Sequence, residues 1–96
     1  MDIRFADENL ARSFREEVYA TACWGLDVAQ RYVHVVNFLT CIEAAGDLSK
    51  FAFLRAGTQN HSGPTRWIVP LANGWHVALD VAEGGRALIV AEVVTQ

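Results

Sequence analysis

The stretch RWIVPLANGWHVALD, residues 66–80, sets Arg66 and His76 beside two tryptophans, Trp67 and Trp75. An imidazole titrates near neutral pH and can take or give a proton, whereas a guanidinium is a fixed cation shaped to grip phosphate or carboxylate. The same chemistry is carried by His61 in the polar loop AGTQNHSGP, by Arg55 in FLRAG and by Arg86 before the last apolar run; Lys50 is the sole lysine. These five side chains can move protons and stabilise an anion. They do not suggest a metal, because Cys23 and Cys41 make no ligand spacing with each other or with His34, His61 and His76. Each has a plainer reading. His76 can be a solvent-facing strand residue, since Trp75, Val77, Leu79 and Val81 alternate onto the other face. Arg55 and Arg66 can be surface charges and His61 a loop histidine.

Composition narrows the classes. A chain of 96 residues is expected to form a single domain, residues 1–96, and its 52% apolar and 20% charged content suits a compact core rather than disorder. A formal charge of -3 counts against strong unaided nucleic-acid binding, which rests on lysine and arginine neutralising phosphates. The opening MDIRFADENL is acidic and shows no signal peptide. The apolar runs near residues 32–42 and 67–79 are too short to span a bilayer, so a cytoplasmic, soluble protein with no membrane partner and no cofactor is expected. Both cysteines are expected to be reduced and packed as small apolar side chains.

The elements that would position the candidates follow from periodicity. Ile3 and Phe5 alternate in a short strand over residues 2–6. Asp7 can cap a helix carrying Leu10, Phe14, Val18 and Ala22 at a spacing of four, ending near Trp24 and Gly25. Asp27 can cap a second helix whose apolar residues Val28, Tyr32, Val35, Leu39 and Ile42 step by +4, +3, +4, +3, with Gly46 as its stop. That steady stripe outweighs the β-branched content of YVHVVNFLTC, which otherwise suits a strand. In an antiparallel helical hairpin Cys23 and Cys41 stand roughly 20 Å apart, beyond disulfide reach. A helical turn at residues 48–53 precedes the polar loop. Strands are expected over residues 67–71, 75–81 and 87–94, with turns at Asn73-Gly74 and at Glu83-Gly84-Gly85. Pro70 lacks a donor and asks for an edge or a bulge. The tryptophans read as packing residues rather than base-stacking platforms. The order β-α-α-β-β-β predicts an α+β fold with a helical hairpin packed on a small, mostly antiparallel sheet.

That order, together with MDIRFADENL, ACWGLDVAQRYVHVVNFLTCIEAAGDL, RWIVPLANGWHVALD and LIVAEVV, resembles the RelE/ParE superfamily of bacterial toxins, and most of all its HigB-like, plasmid-maintenance killer-protein branch. The resemblance covers nearly the whole chain. Relatives read Trp-x-Ile on one strand, Trp-Arg-Leu-x-Phe on the next, and Ile-x-Val-Glu-Val-Val-Asp-Tyr-His at the close. The resemblance implies the toxin of a type II toxin-antitoxin system, held by a cognate antitoxin, that inhibits translation as a metal-independent mRNA endoribonuclease (an mRNA interferase) in the ribosomal A site. The ParE branch instead inhibits DNA gyrase, so fold alone does not fix the target.

Such RNA cleavage uses the substrate's own 2′-hydroxyl as nucleophile and needs a base, an acid and a cation at the phosphorane. On the resemblance these roles fall to His76, His61 and Arg66, with Arg55 and Arg86 as RNA-binding residues. The sequence departs from the pattern in three places: His76 stands where relatives carry arginine, a lysine that often accompanies the loop histidine is missing, and Thr95-Gln96 stands where relatives have Tyr-His. Two alternatives follow, a non-catalytic RelE/ParE-fold protein that binds an antitoxin or gyrase, and a decayed toxin that only pairs with its partner or with itself.

Overall fold

The computed structural model describes residues 1–59 and 66–95. The chain forms β1 (Asp2–Phe5), α1 (Glu8–Arg15), α2 (Glu17–Trp24), α3 (Leu26–Leu39), two short 3₁₀ segments (Ala45–Lys50 and Ala52–Leu54), β2 (Gly57–Gln59), β3 (Arg66–Pro70), β4 (Trp75–Ala82), a 3₁₀ turn (Glu83–Gly85) and β5 (Ala87–Thr95). The five strands make one sheet in the order β1-β5-β4-β3-β2. Only β1 and β5 run parallel; every other neighbour pair is antiparallel. The fold is α+β, with helices packed on one face of a mostly antiparallel sheet.

The long stripe of α3 carries that packing. Val28, Tyr32, Val35 and Leu39 are fully or almost fully buried, and Ile42 just beyond the helix is buried with them. Tyr32, Val35, Leu39 and Ile42 join Val69, Val77, Leu79, Leu88 and Val90 from the inner face of the sheet in one apolar cluster. The phenol of Tyr32 is satisfied inside this core by donating to the Leu10 carbonyl at 2.9 Å, and burial pushes its pKa well above the usual value.

Several expectations are corrected. The first helix is not continuous: Glu16 is extended (φ -123°, ψ 99°) and divides it into α1 and α2. Asp7 does cap α1, accepting from the Leu10 N–H at 2.9 Å. Beyond the break α2 is re-aimed, held back on α1 by a Tyr19 hydroxyl bond to Asn9 and by Arg12 stacked 4.2 Å over the Tyr19 ring. Ala20 becomes buried, while Val18 is left 85% exposed. The cap of α3 is Gly25 rather than Asp27, at φ +89°, a conformation that favours glycine. Gly46 does not stop α3, which ends at Leu39. Cys23 and Cys41 are unbridged, as expected, but both are exposed rather than packed.

The sheet holds one strand more than expected, the short β2 beside β3. Pro70 is accommodated because β2 pairs only with the first part of β3, Gly57 opposite Ile68 and Gln59 opposite Arg66, so Pro70 faces β4 alone. Asn73 (φ 58°) and Gly74 (φ 82°) form the expected tight turn, closed by the Trp75 N–H on the Ala72 carbonyl.

A bulge in β5 has a larger effect. Leu79 pairs with Val90, yet Ala78 pairs with Glu92, which leaves Ala91 without an opposite residue. Side chains alternate along a strand, so this extra residue turns Glu92 onto the outer face and Val93 into the core.

Candidate functional site

The outer face of the sheet, opposite the core-facing Val69, Val77 and Leu79, carries Arg66 and His76. The hairpin register puts Arg66 opposite Asp80. Arg66 grips that carboxylate at both ends of its guanidinium, Nε to Oδ1 at 2.8 Å and Nη2 to Oδ2 at 3.1 Å, and its Nη1 reaches Glu92 Oε1 at 3.3 Å. The arginine therefore spans β4, where Ala78, between Ile68 and Glu92 in register, is small and buried. Hydrogen bonding to Asp80, with the charges of Asp80 and Glu92, raises the pKa of Arg66 above its ordinary value. Two carboxylates against one guanidinium leave this cluster with a net negative charge. A second group at the β1 edge repeats the pattern, Arg4 bonding to Glu83 at 2.6 Å and to Asp2 at 3.0 Å.

His76 faces outward as expected, between Pro70 on β3 and Val94 on β5. It is half-buried and makes no hydrogen bond or ion pair among the described residues. Four residues of strand, ~13 Å at the usual rise, separate it from Asp80 and hence from the Arg66 cluster. Arg86 precedes β5 at the far end of the sheet, eight residues or roughly 25 Å of strand from Val94. Arg55 occupies the left-handed position (φ 53°) after the second 3₁₀ segment, two residues before β2 and at the sheet end where Pro70 pairs with His76. His61 lies outside the described residues.

The structure thus brings Arg55 and His76 to one end of the sheet, locks Arg66 between carboxylates in the middle, and leaves Arg86 at the other end. No acid, base and free cation converge among the described candidate residues; elsewhere, His34, Glu17 and Arg15 line one cleft, with Arg15 paired to Glu8. The Arg66-Asp80-Glu92 cluster was not anticipated, although half of it is readable. Centring the hairpin on Asn73 pairs residues whose numbers sum to that of Arg66 with Asp80, whereas Glu92 joins only through the bulge at Ala91.

The tryptophans pack as expected: Trp24 meets the Tyr32 ring edge-on at 4.9 Å and Trp75 at 6.5 Å. No group of three or more His, Cys, Asp or Glu among the described residues is placed to hold a metal ion, and no helix there is long and apolar enough to cross a membrane.

No protein-family model, curated protein or solved structure matches the chain.

Proposed function

We propose that this chain is the toxin-fold member of a bacterial type II toxin-antitoxin pair, similar to RelE/ParE proteins of the HigB-like branch, and that it acts on its target by binding rather than by cutting RNA. The assignment to this class is supported by the placement of the residues that carry the resemblance. MDIRFADENL falls on β1 and the start of α1, RWIVPLANGWHVALD forms the β3-β4 hairpin, and LIVAEVV lies on β5. The binding mode rests on one observation: the arginine best placed to hold a phosphate is neutralised by Asp80 and Glu92, while His76 stands between Pro70 and Val94. A cleaving site needs a cation free to meet the phosphorane, and an outer face carrying Arg4 and Arg66 against Asp2, Asp80, Glu83 and Glu92 repels a polyanion.

On this reading the functional surface is the outer sheet face and its partner is a protein, an antitoxin or a target such as gyrase. Ribosome-dependent mRNA cleavage is the second reading. It is favoured by the gathering of Arg55 and His76 at one sheet end, neither of them engaged by a carboxylate among the described residues. Induced expression in bacteria, with growth and mRNA 5′ ends followed together, separates the two. Growth arrest without new ends supports binding, and new ends that vanish with His76→Ala support cleavage.

A further inference from the structure

β5 runs for nine residues, from Ala87 to Thr95, yet β1 flanks only its start, up to the pairing of Phe5 with Val90. The Ala6 N–H still bonds to the Val90 carbonyl, and then the chain leaves for α1. From Ala91 to Val94 β5 has β4 on one side and, among the described residues, no strand on the other. In an antiparallel ladder alternate residues turn their N–H and C=O away from the partner, so residues 91–94 present backbone donors and acceptors along an open edge.

A cleft of about 270 Å³ separates that edge from the first two helices. Leu10, Trp24 and Val93 supply its apolar lining and Asp7 and Glu92 are its acids, Asp7 with one oxygen on the Leu10 N–H and Glu92 with one on Arg66, and no lysine or arginine is among its described lining residues. The adjoining helix α2 (EVYATACW) is apolar on nearly every side but buries only Ala20. Val18, Ala22 and, just past the helix, Leu26 form an exposed stripe next to the Tyr19 and Cys23 that line the cleft. An open strand edge, the exposed apolar residues of α2 and a cleft that carries two acids therefore coincide.

We infer that residues 91–94 and this cleft accept an extended segment of a partner polypeptide, in which apolar residues alternate with lysine or arginine, added in line with β1. The acidic lining decides the occupant. A second copy pairing edge to edge across residues 91–94 sets Glu92 near its own equivalent and acid against acid, which opposes association. A basic strand instead satisfies the backbone edge, covers Leu10 and Trp24, and meets Asp7 and Glu92. This surface shares Glu92 with the Arg66 cluster but includes neither Arg66 nor His76, and the open edge and the cleft are the same whichever mode of action holds.

The test uses the full chain and a synthetic, end-blocked decapeptide of alternating valine and lysine as the probe. Saturable binding is expected, with amide shifts at residues 91–94 and in the Trp24 indole. N-methylation of alternate amides on one edge of the peptide is expected to weaken binding by about tenfold or more, since two lost hydrogen bonds of ordinary net strength amount to that factor. A valine-glutamate peptide is expected to bind far more weakly. Equal binding of the N-methylated peptide and the parent, shifts confined to other residues, or no saturable binding at millimolar peptide would overturn the inference. So would concentration-dependent shifts at residues 91–94 without peptide, which assign the edge to a second copy.

Discussion

Arg66 and Asp80 face each other across the β3-β4 hairpin and join through two parallel hydrogen bonds, at 2.8 and 3.1 Å. Their side chains are each about a third exposed, 34% and 36%, so water and salt screen the pair. A double-mutant cycle with Arg66→Ala and Asp80→Ala is expected to return a coupling of about 0.5–1 kcal/mol in low salt, shrinking in 1 M salt. A coupling near zero in low salt would mean that Arg66 is free in solution, which restores it as a candidate phosphate ligand.

Ala91 is extra to the pairing of β5 with β4. Deleting Ala91 removes the extra residue and leaves Glu92 opposite Ala78 and Val93 opposite Val77, on the faces they already hold. The deletion variant is therefore expected to keep its cooperative urea transition. Val93→Glu, which sets an unpaired carboxylate opposite Val77 against the core, is expected to cost about 2 kcal/mol or more. A deletion variant that loses its cooperative transition, or a Val93→Glu variant as stable as the parent, contradicts the register.

Val18 sits beyond the break at Glu16 and points to solvent. Val18→Lys is expected to change stability by no more than about 0.5 kcal/mol, whereas Leu39→Ala in the core is expected to cost about 2–5 kcal/mol. If Val18→Lys cost more than about 2 kcal/mol, the helix would be continuous and Val18 buried.

The contrast between these two helices shows what the sequence could and could not disclose. A step of four advances ~40° round a helix of 3.6 residues per turn, so Leu10, Phe14, Val18 and Ala22 wind round the cylinder and do not mark a single buried face. The stripe from Val28 to Ile42 alternates +4 and +3, which cancels that drift, and every member of it is buried. The hairpin at Asn73-Gly74 was legible because its turn residues dictate φ > 0. β2 was not, since three residues in Gly-Thr-Gln carry no hydrophobic alternation and are defined by pairing with β3 alone. Among the candidate residues, the outward face of His76 was readable from alternation. The neutralisation of Arg66 was not, because Glu92 reaches it through an extra residue in β5 that no local pattern announces.

Tyr32 gives the fold an alkaline limit. Burial holds its phenol protonated well above the usual range, while in the unfolded chain it ionises near pH 10. Below about pH 9 both states keep the proton and Tyr32 adds no pH dependence. Above about pH 10 the unfolded chain binds fewer protons than the folded one, so stability falls as pH rises. Tyr32→Phe is expected to remove this fall and to cost about 1–3 kcal/mol at pH 7, because the buried Leu10 carbonyl loses its donor. Urea midpoints at pH 7 and pH 10.5 check both. An equally steep alkaline loss in the Phe variant contradicts the assignment.

The central claim, that the chain acts by binding and not by cutting RNA, is tested most directly by mapping mRNA 5′ ends genome-wide after induction of the wild type and of a His61→Ala/His76→Ala double variant. The predicted result is growth arrest in both strains, with no new ends in either. New ends in the wild type that disappear in a folded double variant would contradict it.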